Sequence, residues 1–101
     1  MTNPATVGIT GVAGYMGSNL AERLLAEGRT VVGIDDFSHG IASNMDSFRD
    51  HPNFTFVELH CRDALRVRRT FAGCDQLVHL AAEKIPRYGG ALKTLRPAPG
   101  P

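Results

Sequence analysis

Thr6-Val7-Gly8-Ile9-Thr10-Gly11-Val12-Ala13-Gly14-Tyr15-Met16-Gly17 decides the fold of this 101-residue chain. Its first five residues form a short run rich in β-branched side chains, the pattern of a buried strand. Glycines then recur at every third position, Gly11, Gly14 and Gly17, and Ser18 to Glu27 reads as a helix. Within it Leu20 and Leu24 stand four apart with Ala21 and Leu25 beside them, which makes one apolar stripe. Gly28 suits the left-handed residue that ends a helix. A strand that turns sharply into a helix, with no side chains at the turn, lets backbone N–H groups approach an anion closely. The helix N-terminus adds about half a positive charge at the same place. The stretch therefore predicts a phosphate cradle.

Outward from this turn, strand and helix keep alternating. Thr30 to Ile34 is a second strand, closed by Asp35-Asp36. The polar segment after it predicts a short helix over 41–48. Phe54 to Glu58 is a third strand, entered through the turn signal Pro52-Asn53. Asp63 is placed to cap a helix from Ala64 to Phe71, with Gly73 to close it. Gln76 to Leu80 is a fourth strand, followed by Ala81-Ala82. This order predicts an α/β fold: a partial Rossmann-type doubly wound parallel sheet of about four strands with crossover helices. Residues 1–95 are expected to be that unit. Arg96-Pro97-Ala98-Pro99-Gly100-Pro101 can neither continue a helix nor join a sheet centre, and is expected to be a disordered tail. The abrupt change near Leu95 suggests a truncated domain.

Composition narrows the function classes. Eleven Lys+Arg against 10 Asp+Glu give a net charge of +1, with 43% hydrophobic and 21% charged residues. That is globular material, without the electrostatic footprint of a nucleic-acid or membrane-surface binder. No apolar run approaches the roughly 18–20 residues of a membrane span, and the N-terminus lacks the basic region of a secretion signal. Cys61 and Cys74 form neither a metal spacing nor a disulfide framework, so a cytoplasmic location is expected. His39, His51, His60 and His79 lack paired ligand spacings, so no metal site is expected. His79, between Val78 and Leu80, reads as a satisfied core histidine, and Cys61 as an inert thiol. Arg66, Arg68 and Arg69 read as a solvated helix face.

An acid gives the glycine turn its second half. Asp35 ends the second strand 18 residues after Gly17. A carboxylate about 20 residues beyond such a turn accepts hydrogen bonds from the ribose hydroxyls of a dinucleotide, and repels a 2′-phosphate. This favours NAD over NADP. No Gly-Lys-Ser/Thr follows the glycines, which excludes a P-loop.

Three segments together carry a resemblance: Thr10 to Gly17, Val32-Gly33-Ile34-Asp35-Asp36-Phe37-Ser38-His39-Gly40, and Val78-His79-Leu80-Ala81-Ala82. They resemble the extended short-chain dehydrogenase/reductases, specifically the NAD-dependent sugar-nucleotide epimerases and dehydratases, over about residues 6–95. The resemblance implies that backbone around Gly11, Gly14, Tyr15, Met16 and Gly17 holds a pyrophosphate. It implies that Asp35 takes the adenosine ribose, with Asp36 and Ser38 nearby. Leu80, Ala81 and Ala82 would line the cofactor, and Lys84 would reach a phosphate.

There are two departures from the family pattern. Where the family places Gly-Asp to bond the adenine amino group, this chain has Leu59-His60, with Cys61 next. An imidazole nitrogen accepts such a bond in one tautomer. The family's catalytic Tyr-x-x-x-Lys is also absent. Tyr15 is followed at the fourth position by Asn19, Tyr88 by Leu92, and Lys93 is one residue too far. No catalytic residue is assigned. The resemblance thus implies the NAD-binding part of an oxidoreductase, inactive alone, whose nucleotide-sugar substrate needs a further C-terminal part. Two other readings stay open: a stand-alone dinucleotide-binding module, and a fragment of an NADP-type reductase, which Asp35-Asp36 disfavours.

Overall fold

A computed structural model describes residues 5–81. The readings made on Ala82, Lys84, Tyr88 and the tail after Leu95 lie outside the described residues. The chain runs β1 (Thr6–Thr10), α1 (Tyr15–Ala26), β2 (Thr30–Asp35), a 3₁₀ turn (Ala42–Met45), β3 (Phe54–Glu58), α2 (Ala64–Thr70) and β4 (Gln76–His79). All strand pairs are parallel, in the order β3-β2-β1-β4. The chain steps outward twice and then returns to the far side of β1. The strand order therefore reverses between β1 and β4, the place where open α/β sheets leave a crevice at the carboxyl ends of their strands.

Strand alternation sorts the side chains. Val7 pairs with Val31 and Val31 with Phe54, so these three share one face. They join Ile9, Val12 and Ala13 in a buried cluster with Ala21, Leu24 and Leu25 of α1. The apolar stripe read from the sequence is thus the stripe that packs. Met45 and Phe48 close the cluster, and the Phe48 ring meets Phe54 edge-on, with centroids 4.9 Å apart. On the opposite face Phe71 and Cys74 lie over Gly8, where a Cβ would stand 2.6 Å from the Phe71 ring. Burial, helped by the charge of Asp75, pushes the Cys74 thiol pKa up, so that thiol is a poor nucleophile. Among the described residues, no helix is long and apolar enough to cross a membrane.

Several element ends differ from expectation, each for a physical reason. Helix α1 begins at Tyr15, not Ser18, because Gly14 in an extended conformation serves as its N-cap. The 41–48 segment makes only a 3₁₀ turn followed by further turns, with Asp46 N–H donating to Ser43 and Phe48 N–H to Met45. Its buried residues, Met45 and Phe48, stand three apart, which matches a three-residue turn. Asp63 does cap α2, accepting from the Arg66 N–H. Gly73 does not close that helix in the left-handed form. Phe71 is the C-cap, and Gly11 and Gly28 are the described glycines with positive φ. His79 is exposed, not a core histidine. Among the described residues β4 pairs with β1 alone, and α2 contributes no buried side chain to cover it.

Gly28 ends α1 as read, with φ +86°. Its N–H donates to Leu25 and that of Arg29 to Leu24, the two bonds of a Schellman cap. Nothing lies within 4 Å of a Cβ built there. Gly28→Ala is therefore expected to cost only the left-handed backbone penalty, about 1 kcal/mol in urea denaturation.

Candidate functional site

The turn after β1 is tied down from below. Gly11 and Val12 N–H groups both donate to the Ile34 carbonyl, at 2.9 and 3.1 Å. Gly11 adopts φ +74°, and a Cβ on it would lie 2.8 Å from the Ala81 backbone. A Cβ on Gly17 would run into the Gly11 carbonyl oxygen, and one on Gly14 would stand 3.3 Å from that same oxygen. Gly11 and Gly17 are thus required by close approach of backbone to backbone, and Gly14 sits in a tight fit. Helix α1 has no side-chain cap at its start and no acid in its first turn. Its first internal bond is Ser18 N–H to Gly14, at 2.9 Å. The N–H groups of Tyr15, Met16 and Gly17 have no intrahelical acceptor by geometry, and the positive end of the helix lies with them.

Asp35, at the end of β2, is 7% exposed. Its Oδ2 accepts from the Ala13 N–H at 2.9 Å and its Oδ1 from the Phe37 N–H at 2.8 Å. One carboxylate therefore staples the glycine turn to the loop leaving β2. Phe37 there holds a left-handed φ of 63°, with its ring 5.6 Å from that of Phe56.

Asp36 belongs to a second network. Its Oδ1 accepts from the Ser38 N–H at 3.0 Å and from the Ser38 hydroxyl at 2.7 Å. Its Oδ2 lies 3.3 Å from His60 Nε2. The Ser38 backbone bond, then the Ser38 hydroxyl bond, and more weakly the charge of His60 hold its pKa below the ordinary value of 3.8. A depressed carboxylate pKa stabilises the fold above the unfolded value of about 3.9, and that contribution is lost as pH falls through the folded value. Carboxyl NMR should place the Asp36 midpoint below 3.8. Ser38→Ala removes only the hydroxyl bond, so it should raise the midpoint part of the way back.

His60 is committed on both sides. The Arg62 N–H donates to its Nδ1 at 2.9 Å, so that nitrogen is bare, and Nε2–H faces Asp36. The expectation that an imidazole nitrogen accepts from an adenine meets a ring whose acceptor is already used.

These groups line one cleft of about 630 Å³ above the strand ends. Gly11, Gly14, Tyr15, Met16 and Gly17 form its floor and helix end; Asp35, Asp36 and Ser38 one side; His60, Cys61, Leu80 and Ala81 the rest. The sequence-derived residues are thus brought together, apart from Ala82 and Lys84, which lie outside the described residues. Ile34, His39, Gly40, Leu59 and Arg62 also line the cleft and were not among them. Gly40 carried a signal, a glycine just after a polar strand exit. A Cβ there would stand 2.8 Å from Asp35 Oδ2.

Comparison with known proteins gives a consistent set of relatives. Residues 9–89 match the family described as GDP-mannose 4,6 dehydratase. A UDP-glucose 4-epimerase of Mycolicibacterium smegmatis is 48% identical over 56 residues, 55% of this chain and 18% of that protein. UDP-glucuronic acid decarboxylase 2 of Arabidopsis thaliana is 34% identical over 78 residues, 77% of this chain and 16% of that protein. The crystal structure of the Bordetella bronchiseptica enzyme WbmH in complex with NAD+ superposes with a TM-score of 0.74 at 40% identity, covering 81% of this chain and 27% of that one. The chain thus spans less than a fifth of the curated relatives and about a quarter of the solved structure.

Proposed function

We propose, for a chain that belongs to the NAD-dependent epimerase/dehydratase family, that its cleft binds NAD as the dinucleotide-binding part of an enzyme acting on nucleotide-linked sugars. The observation that carries this reading is the start of α1: three N–H groups without an intrahelical acceptor, in a cleft lined by a glycine turn that brings no side chain of its own. A doubly charged pyrophosphate fits such a site, since it supplies acceptors for those donors and charge opposite to the helix end. Tyr15, Met16 and Gly17 would hold it by backbone, next to Gly11 and Gly14. Asp35 would accept from the adenosine ribose. Each of its oxygens already takes one backbone bond, and a carboxylate offers about four lone-pair sites, so capacity remains. Asp36, Ser38, His60 and Cys61 would border the adenosine end, and Leu80, Ala81, Ala82 and Lys84 the opposite wall.

When bound, NAD supplies a hydride acceptor and donor. The residues of this chain bind it, orient it and exclude water. No proton transfer is assigned to any of them, because neither tyrosine is followed by lysine at the fourth position. By itself the chain is proposed to be inactive. The relatives named above include an epimerase and a decarboxylase of UDP-sugars. In a longer protein the same part would serve a reaction of that class. Residues 1–95 are proposed as one nucleotide-binding unit. The spacing of Cys61 and Cys74, which makes no disulfide framework, fits the proposed cytoplasmic location.

Parallel calorimetric titrations with NAD and NADP test the proposal. NAD is expected to bind at least about tenfold more tightly, a difference of about 1.4 kcal/mol. Equal affinities would contradict the ribose assignment, and binding of neither would contradict the reading as a whole.

A further inference from the structure

Thr10 is the last residue of β1 and only 3% exposed. Its Oγ1 lies 2.6 Å from His79 Nδ1, 3.0 Å from the Leu80 nitrogen and 3.2 Å from the Ala81 nitrogen. A hydroxyl has one proton and two lone pairs. The two backbone N–H groups can only donate, so they take the lone pairs, and the hydroxyl proton goes to His79. With both lone pairs so taken, that nitrogen is the acceptor and the ring proton lies on Nε2. A proton on Nδ1 would aim three donors at two lone pairs.

The consequence falls on the cleft wall. The Leu80 N–H is shared between the Thr10 hydroxyl and the Thr10 carbonyl, 3.1 Å away. The chain leaving β4 is thereby fixed at two successive amides. It has no slack toward the glycine turn, since the Ala81 backbone sits 2.8 Å from where a Gly11 Cβ would be.

We propose that Thr10 and His79 are positioning residues: His79, neutral with its proton on Nε2, orients the Thr10 hydroxyl, and that hydroxyl sets Leu80 and Ala81 against the glycine turn. Neither residue borders the cleft, and both act through backbone that does. The link to cofactor affinity rests on the dinucleotide reading above; the anchor itself does not.

The test compares two pairs of variants in the full protein. His79→Phe keeps a ring without an acceptor, whereas His79→Asn can place Oδ1 where Nδ1 stands. Thr10→Val removes the hydroxyl, and Thr10→Ser restores it. His79→Phe and Thr10→Val should speed hydrogen exchange at the Ala81 amide and weaken NAD binding about tenfold, the worth of one lost hydrogen bond. The Asn and Ser variants should stay within about threefold of the parent in both readouts, well inside that same span. In the parent protein, ¹⁵N NMR should show His79 Nδ1 bare and Nε2 protonated. A proton on Nδ1, or equal Ala81 exchange in the Phe and Asn variants, would overturn the proposal. Should the Phe and Val variants fail to fold, the tautomer in the parent protein decides alone. Should the parent not bind NAD, the functional reading fails while the exchange contrast still decides the anchor.

Discussion

Gly11→Ala should abolish NAD binding and destabilise the fold by more than about 3 kcal/mol, combining backbone strain with overpacking. The two contributions can be separated, because Gly28 has a similar positive φ without neighbours. At Gly28 a methyl group meets open space. At Gly11 it meets the Ala81 nitrogen and Cα at 2.8 Å, and these are backbone atoms that cannot swing aside. Relief requires either moving the end of β4 or breaking the Gly11 and Val12 bonds to the Ile34 carbonyl. Both moves open the floor of the cleft. Urea denaturation of the two alanine variants side by side should show Gly11→Ala the worse by about 2 kcal/mol or more, the part owed to overpacking. Equal losses would mean that the turn has room, and the close-approach argument for the glycine floor would fall.

Asp35→Asn should produce the second large effect, and it acts on two properties at once. In the native side chain both oxygens accept, one from Ala13 and one from Phe37. Asparagine has a single acceptor oxygen and presents its NH₂ to the other backbone donor. One buried N–H then loses its partner and faces a second donor, which costs about 2–3 kcal/mol. The Phe37 backbone, already left-handed, would then rely on the packing of its ring against Phe56. Affinity must therefore be measured on the folded fraction. There NAD binding should weaken, and the preference for NAD over NADP should fall about tenfold with removal of the charge that repels a 2′-phosphate. Unchanged stability would refute the staple; an unchanged NAD/NADP ratio would refute the ribose assignment.

What the sequence made legible was local. The β1–glycine–α1 turn, the stripe at Leu20, Ala21, Leu24 and Leu25, the left-handed Gly28 and the Asp63 cap all depend on residues a few positions apart. The structure reproduces each of them. The ends of β3 are also as read. What escaped depends on partners distant in the chain. His79 alternates with apolar residues, as core strands do, but β4 has a described neighbour on one side only, and alternation alone carries no information about that. His60 faces Asp36 because the loops after β2 and β3 meet there, which no spacing announces, whereas its bond from Arg62 is local. Gly40 and Leu59 reach the cleft only because those loops fold over the strand ends. The start of α1 was missed for a different reason: a glycine N-cap looks like any other glycine in the turn. The candidate site was legible as far as its glycines and acids, whose spacing follows the strand–turn–helix–strand order. The rim was not.

The central claim is that the open N–H groups at the start of α1 receive the pyrophosphate of NAD. Amide NMR of ¹⁵N-labelled protein during an NAD titration tests it most directly. Saturable shifts should be largest at Tyr15, Met16 and Gly17, and smaller at Ala81, while Ala64–Thr70 of α2 stay in place. Saturable binding that leaves Tyr15, Met16 and Gly17 unmoved, with the largest shifts on α2 or β3, would contradict the account.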